Sequence, residues 1–227
     1  MAAVADPDAA VVLARYFQVR PGGYGEGDLF IGVKLSTIRR LVAAHRRLPF
    51  VPADWWDLLH SPVHEERLAA LVVMAERAVR APDAERELIY DTYLAVTRWI
   101  DNWDLVDVSA APVVGGWLLT RDRTPLYTLA GSALIWERRI AVVATHRLIR
   151  AGQTEDTYRL AVALRSDHED LIHKAVGWML REAGLRVDEA ELRGFLDAYA
   201  PELPRTTLRY AVERFPPDQR LHYRKLR

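Results

Sequence analysis

Cysteine is missing from all 227 residues. That excludes disulfides, thiol catalysis and the cysteine-based zinc modules, and it fits a cytoplasmic protein. Long apolar runs are missing too. None reaches the roughly 18 residues of a membrane span, and the opening Met-Ala-Ala-Val-Ala-Asp-Pro has no basic residue ahead of an apolar stretch, so no secretory leader is expected. Net charge is absent, with 31 basic residues against 31 acidic. This counts against the strongly basic kind of nucleic-acid binder. No sustained alternation of apolar and polar residues predicts a sheet.

What is present reads as helix. Half of the residues are hydrophobic and about a quarter are charged, as in ordinary soluble proteins. Asp6-Pro7 is an N-cap followed by proline at the first helical position, predicting a helix to Phe17. Residues 19–31 are rich in glycine and predict a loop. Ser36 is expected to cap a helix to about Arg47, Pro52 to open one through His60, and Ser61-Pro62 to start another through about Arg80. Further helices are expected near 83–99, 102–109, 112–120, 125–131, 135–151, 154–165, 167–183, 188–199, 204–214 and 217–225.

Charge is segregated along the chain. Lys34 to Arg47 has five basic residues and no acid, Asp83 to Asp107 has seven acids against two arginines, and Glu202 to Arg227 has seven basic residues against three acids. A neutral protein built this way can still present a basic face, although clustered solvated helix faces would look the same.

A repeat runs through the helices. Arg67 and Arg139 lie two steps of 36 apart, and Lys174 and Arg209 follow at steps of 35, each before or near alanine in an apolar helix. The slot one step after Arg67 is Trp103-Asp104. A period in this range with two helices per unit is the signature of an α-solenoid, and the units resemble short HEAT-type repeats. Stacked helical pairs curve, so Arg67, Trp103, Arg139, Lys174 and Arg209 are candidates for one concave stripe. Basic side chains snorkelling from buried helices would give the same pattern.

Trp103 and Asp107 stand out within it. They are four apart and share a helix face, and Arg139 and Trp178 follow near multiples of the repeat. Two aromatic faces, a carboxylate and a guanidinium suit a cation or a sugar–phosphate backbone. Taken singly, the tryptophans could be core aromatics, Asp107 a helix cap and Arg139 an ion-pair partner. Trp55, Trp56, Trp99, Trp117 and Trp136 are assigned to packing. His64-Glu65-Glu66 lacks the second histidine of a metalloprotease helix, and the acids at 167–170 suit a helix start, so no metal is expected.

The segments Ile100-Asp-Asn-Trp-Asp-Leu-Val-Asp107, Trp136-Glu-Arg-Arg-Ile-Ala141, His173-Lys-Ala-Val-Gly-Trp-Met-Leu-Arg-Glu182 and Pro204-Arg-Thr-Thr-Leu-Arg-Tyr-Ala-Val-Glu213 resemble the AlkD family of DNA alkylation repair enzymes. His64 to Ala69 and Gly25 to Gly32 fit as well, and the resemblance covers about residues 15 to 215. It implies an all-α, right-handed α-solenoid of HEAT-like repeats, one domain over 1–227, with a concave DNA-binding face. It implies a monomeric DNA glycosylase acting in the cytoplasm, without cofactor, on duplex DNA carrying N3- or N7-alkylated purines. The family's Trp-x-x-x-Asp motif falls on Trp103 and Asp107, its arginine on Arg139 and its second tryptophan on Trp178. Arg67, Lys174, Arg209 and Tyr24 are the expected DNA contacts, with Arg205 and Arg39 less secure. The neutral charge departs from the family's more basic habit. The rivals are a DNA-structure-binding paralogue and a protein-binding helical scaffold.

Overall fold

A computed structural model describes residues 2–226. The protein has an all-α, solenoid-like fold. Among the described residues the one β-type pairing is an isolated parallel bridge between Leu29 and Val63. The chain divides into two compact units, one up to Val113 and one from Val114.

The first unit contains α1 (Pro7–Tyr16), α2 (Leu35–Leu41), α3 (Pro52–Leu59), α4 (His64–Ala78), α5 (Asp83–Ala95) and α6 (Trp103–Ala110). Asp6 caps α1 by accepting the N–H groups of Asp8 and Ala9 at 3.1 Å each, and Pro7 follows at the first helical position. The middle of α4 is apolar around its whole circumference, with Leu68 through Ala75 all buried. A helix of that kind belongs at the centre, and α2, α3, α5 and α6 pack against it.

The second unit contains α7 (Gly116–Leu118), α8 (Thr124–Ala130), α9 (Ile135–Ile149), α10 (Glu155–Ala163), α11 (Asp170–Arg186), α12 (Glu189–Tyr199), α13 (Arg205–Ala211) and α14 (Pro217–Lys225). α9 and α11 form its spine. α9 packs on α8, α10 and α11, and α11 packs on α10, α12 and α13. Gly177 permits the last of these contacts: a Cβ there would fall 2.5 Å from the Thr207 carbonyl oxygen and 2.6 Å from the Tyr210 Cβ.

Some boundaries differ from expectation. Ser36 is not a cap; Lys34 precedes α2, with no side-chain cap bond, and the helix stops at Leu41. Arg39 and Arg40 sit in its last turn, where cations suit the carbonyl end. A short 3-10 turn (His45–Arg47) covers the rest. The helix expected over 112–120 is present but begins with π geometry (Ala111–Gly115) before the short α7. Pro112 supplies no N–H, and Gly115 and Gly116 weaken helix formation.

Candidate active site

In the first unit the expected pair lies on α6. Asn102 is buried and caps the helix, its Oδ1 accepting from the Trp103 N–H at 2.9 Å. Trp103 is half-buried. Its indole stacks on Phe17 at 5.1 Å with an interplanar angle of 21°, and meets the edge of Tyr16 at 5.9 Å. Asp107 lies one turn further on, half-buried and inside α6. It therefore does not cap a following helix, and its negative charge helps to raise the Tyr93 hydroxyl pKa, which burial chiefly raises.

Beneath α6 is a buried charged centre. His64, 1% exposed, bonds Asp28 through Nδ1 and Asp104 through Nε2, each at 2.9 Å. Arg67, 2% exposed, bonds Asp28, the Asp101 carboxylate at 2.8 Å and the Ser61 carbonyl at 2.7 Å. Asn102 Nδ2 donates to Asp28 at 3.3 Å. Burial by itself pushes the His64 pKa down, but the hydrogen bonds it donates to Asp104 and Asp28, and the charges of those carboxylates, overcome this and raise it to about 9. For Asp28, burial raises the pKa, while His64 and Arg67 together hold it below the usual carboxylate value. For Asp101, burial and the neighbouring Asp28 outweigh Arg67, and the pKa is raised.

Arg67 is thus corrected as a DNA contact. A guanidinium closed in by two carboxylates and a carbonyl has no donor face turned to solvent, and its work is inside the first unit. Tyr24 is half-buried and its hydroxyl donates to the Tyr16 carbonyl at 3.2 Å.

In the second unit Arg139 on α9 is buried, and its Nη1 donates to the Leu171 carbonyl at 2.6 Å. Trp178 on α11 is half-buried, with its ring 6.1 Å from His146. Lys174 pairs with Asp170 at 2.8 Å. Arg209 is exposed on α13. It lines an open cavity of about 530 Å³ with Arg205, Thr206, Leu208, Leu221, Arg224 and Lys225. Four cations therefore converge there, two of them from α14. Of the tryptophans assigned to packing, Trp56 and Trp99 prove to be exposed, each with its ring against His60, at 4.2 and 5.1 Å.

The acids at 167–170 also find uses near the start of α11. Asp167 accepts from Arg138 at 2.7 Å, and Asp170 accepts from Thr206 at 2.8 Å besides holding Lys174.

The family of DNA alkylation repair enzymes matches this chain over residues 1–215. The chain belongs to that family. Among solved structures it is similar to one described as a predicted DNA alkylation repair enzyme from Enterococcus faecalis, with a TM-score of 0.71 and 16% identity, over 94% of this chain and 97% of that one. At such identity the likeness is one of fold. A search of curated proteins finds no match. α14, the bearer of Arg224 and Lys225, lies beyond the residues that the family matches.

Sequence reasoning missed the Asp28–His64–Asp104 centre. It placed His64 and the glycine-rich loop in segments that resemble the family, but gave His64 no role beyond an incomplete metal motif and the glycines none beyond turns. The loop's purpose is visible in the structure. It carries Asp28 to His64, and its end offers the N–H groups of Ile31, Gly32 and Val33 to the buried Glu65 carboxylate at 3.1, 2.8 and 3.1 Å. Gly32 has φ +82°, a conformation suited to glycine.

Proposed function

We propose that the protein is a monomeric DNA glycosylase that hydrolyses the N-glycosidic bond of cationic N3- and N7-alkylpurines in duplex DNA. The observation that supports this most is the pair on α6: an indole and a carboxylate one turn apart, both half-buried rather than packed away, in a chain of the DNA alkylation repair enzyme family.

The chemistry suits these groups. An N3- or N7-alkylated purine already bears positive charge, so it departs without protonation. The C1′–N bond breaks with both electrons passing to the purine, which leaves neutral, and the sugar becomes oxocarbenium-like. Asp107 stabilises that cation and orients a water, which adds at C1′ and gives up a proton to the carboxylate and then to solvent. Carboxylates serve glycoside hydrolysis in this way. The Trp103 indole attracts the cationic lesion, and Trp178 does the same on its own unit, each contributing about 0.5–2 kcal/mol. Arg139 fixes a backbone phosphate. Lys174, Arg209 and Tyr24 hold the duplex, and the lesion stays stacked rather than entering a deep pocket. No metal or organic cofactor takes part.

A second reading is a DNA-binding paralogue that cuts no glycosidic bond. In either reading the buried Arg139, bonded to the Leu171 carbonyl, shares its guanidinium with the phosphate it meets, so base release is what separates the two.

The test is release of N7-methylguanine and N3-methyladenine from duplex DNA by the wild type and by Asp107→Asn. The glycosylase reading expects release by the wild type and a loss of at least about tenfold in the variant, or ~1.4 kcal/mol of barrier. A folded wild type that releases neither base rejects it. Retained duplex binding would then leave the paralogue, and no binding would leave a helical scaffold.

A further inference from the structure

Four consecutive residues at the start of α6 are tied to the same buried centre. Asp101 bonds Arg67, Asn102 bonds Asp28, Trp103 stacks on Phe17, and Asp104 bonds His64. The His64 ring itself closes a triangle with two phenyl rings, 4.4 Å from Phe30 at 24° and 5.2 Å from Phe17 at 38°. Phe17 stacks on Phe30 at 5.0 Å. The imidazole therefore touches the same phenyl ring that supports the Trp103 indole, and its Nε2 holds the residue that follows Trp103.

The protonation state follows from the bonding. An ionised carboxylate can only accept hydrogen bonds, so an imidazole between two of them must donate from both nitrogens, which makes it an imidazolium. The surrounding groups favour this. Asp28 comes from the glycine-rich loop, and Asp101 and Asp104 come from the start of α6. Arg67, one turn along α4, is the nearby cation, and it is neutralised by Asp28 and Asp101. Glu65, next to His64 on α4, is occupied by the N–H groups of residues 31–33.

We propose that His64 is a positioning residue. As an imidazolium clamped between Asp28 and Asp104, it fixes the first turn of α6, and through it the angle of the Trp103 indole and the place of the Asp107 carboxylate. The geometry concerns α6 alone; the part about catalysis rests on the glycosylase reading. His64 touches no reacting atom, and its contribution is to hold the pair still. Positioning of this kind matters because misplacing a reacting group by about 1 Å can cost on the order of 100-fold in rate.

Loss of the imidazolium proton leaves one of the two carboxylates facing a bare nitrogen lone pair. Asp104 is the freer of the two, its side chain being 20% exposed against 4% for Asp28, so the clamp opens on the α6 side. Trp103 should then sense the titration of His64, with a midpoint near pH 9.

The experiment labels the full chain with 5-fluorotryptophan, assigns the Trp103 fluorine resonance by Trp103→Phe, and follows it from about pH 7 to about pH 10.5, spanning the His64 transition. The expected result is a Trp103 shift with a midpoint near 9 while the Trp178 resonance stays flat, and the loss of that transition in His64→Gln. A Trp103 resonance that ignores pH in folded wild type overturns the proposal, and this readout needs neither activity nor a folded His64 variant. In single-turnover release of N7-methylguanine, His64→Gln and Asp104→Asn should each lower the rate by about tenfold or more, leaving affinity for undamaged duplex within about twofold. The double variant should be little worse than either single one, as for residues in one network. Wild-type rates in both folded variants overturn the catalytic part. If the wild type releases no alkylpurine, the glycosylase reading falls and the Trp103 titration alone decides the positioning.

Discussion

Trp103 and Trp178 are indoles on different units, held by different physics. Trp103 rests on aromatic rings above a centre of buried charge, in which His64, Arg67, Asp28 and Asn102 are all closed off from solvent. Trp178 stands beside Gly177, on a helix that approaches α13 so closely that a single added methyl group would meet backbone. The first arrangement depends on protonation states and on the pairing of opposite charges, because a buried charge without its partner is costly. The second depends, at the contact of α11 with α13, on volume and shape. The same kind of side chain can thus be placed by ionic clamping or by close packing, and the two respond to different perturbations.

The largest expected effect comes from breaking the ionic side. Arg67→Met should leave Asp28 and Asp101 short of a cation and cost about 3–5 kcal/mol in urea unfolding. A loss below about 1 kcal/mol would mean that the centre relaxes easily. Next is pH. His64 has its pKa raised on folding, so its stabilisation is complete below its ordinary value of 6.5 and is lost as pH rises through about 9. The advantage of wild type over His64→Gln should shrink by on the order of 3 kcal/mol between those limits, measured by denaturant unfolding at several pH values. An advantage that grows with pH would contradict the assignment.

Gly177→Ala should cost about 1–3 kcal/mol by forcing α11 away from α13, equally at neutral and alkaline pH. A pH-dependent cost would erase the contrast between the two units. The smallest effect concerns the surface. Arg209→Gln should reduce the slope of log affinity against log salt for undamaged duplex by about 0.9, one phosphate contact. Arg67→Met, acting at a buried guanidinium, should leave the slope unchanged. An equal change in both would return Arg67 to the interface.

Much of the fold was legible because helix punctuation is local. Asp6-Pro7 states where α1 begins, and the repeat picked out helices that do pack in sequence: α4 on α6, and α9 on α11 on α13. The period tells which helices are neighbours, but not the rotation of each side chain about its helix. Arg67 and Arg209 occupy equivalent slots in the repeat, yet one is 2% exposed and the other stands in solvent. A basic residue in an apolar helix looks the same in both cases until its partners are known. The partners of His64 were hidden for a related reason. Asp28 and Asp104 are 36 and 40 residues away, and neither spacing has a local meaning. Trp103 and Asp107 were legible because their spacing of four is a helix-face relation that survives any packing.

The Glu65 carboxylate has one more consequence. Three successive backbone N–H groups form a nest of the kind that elsewhere captures free anions, and here the occupant is a tethered side chain. A tethered ligand faces its receptor at an effective concentration far above that of any solute, so dissolved anions cannot elute it. Salt that strips a duplex from surface cations should leave this loop, and with it Asp28 and the Trp103 end of α6, in place. A salt-washed protein should then meet its next duplex already shaped, so that repeated rounds of binding and release cost no rebuilding of that end.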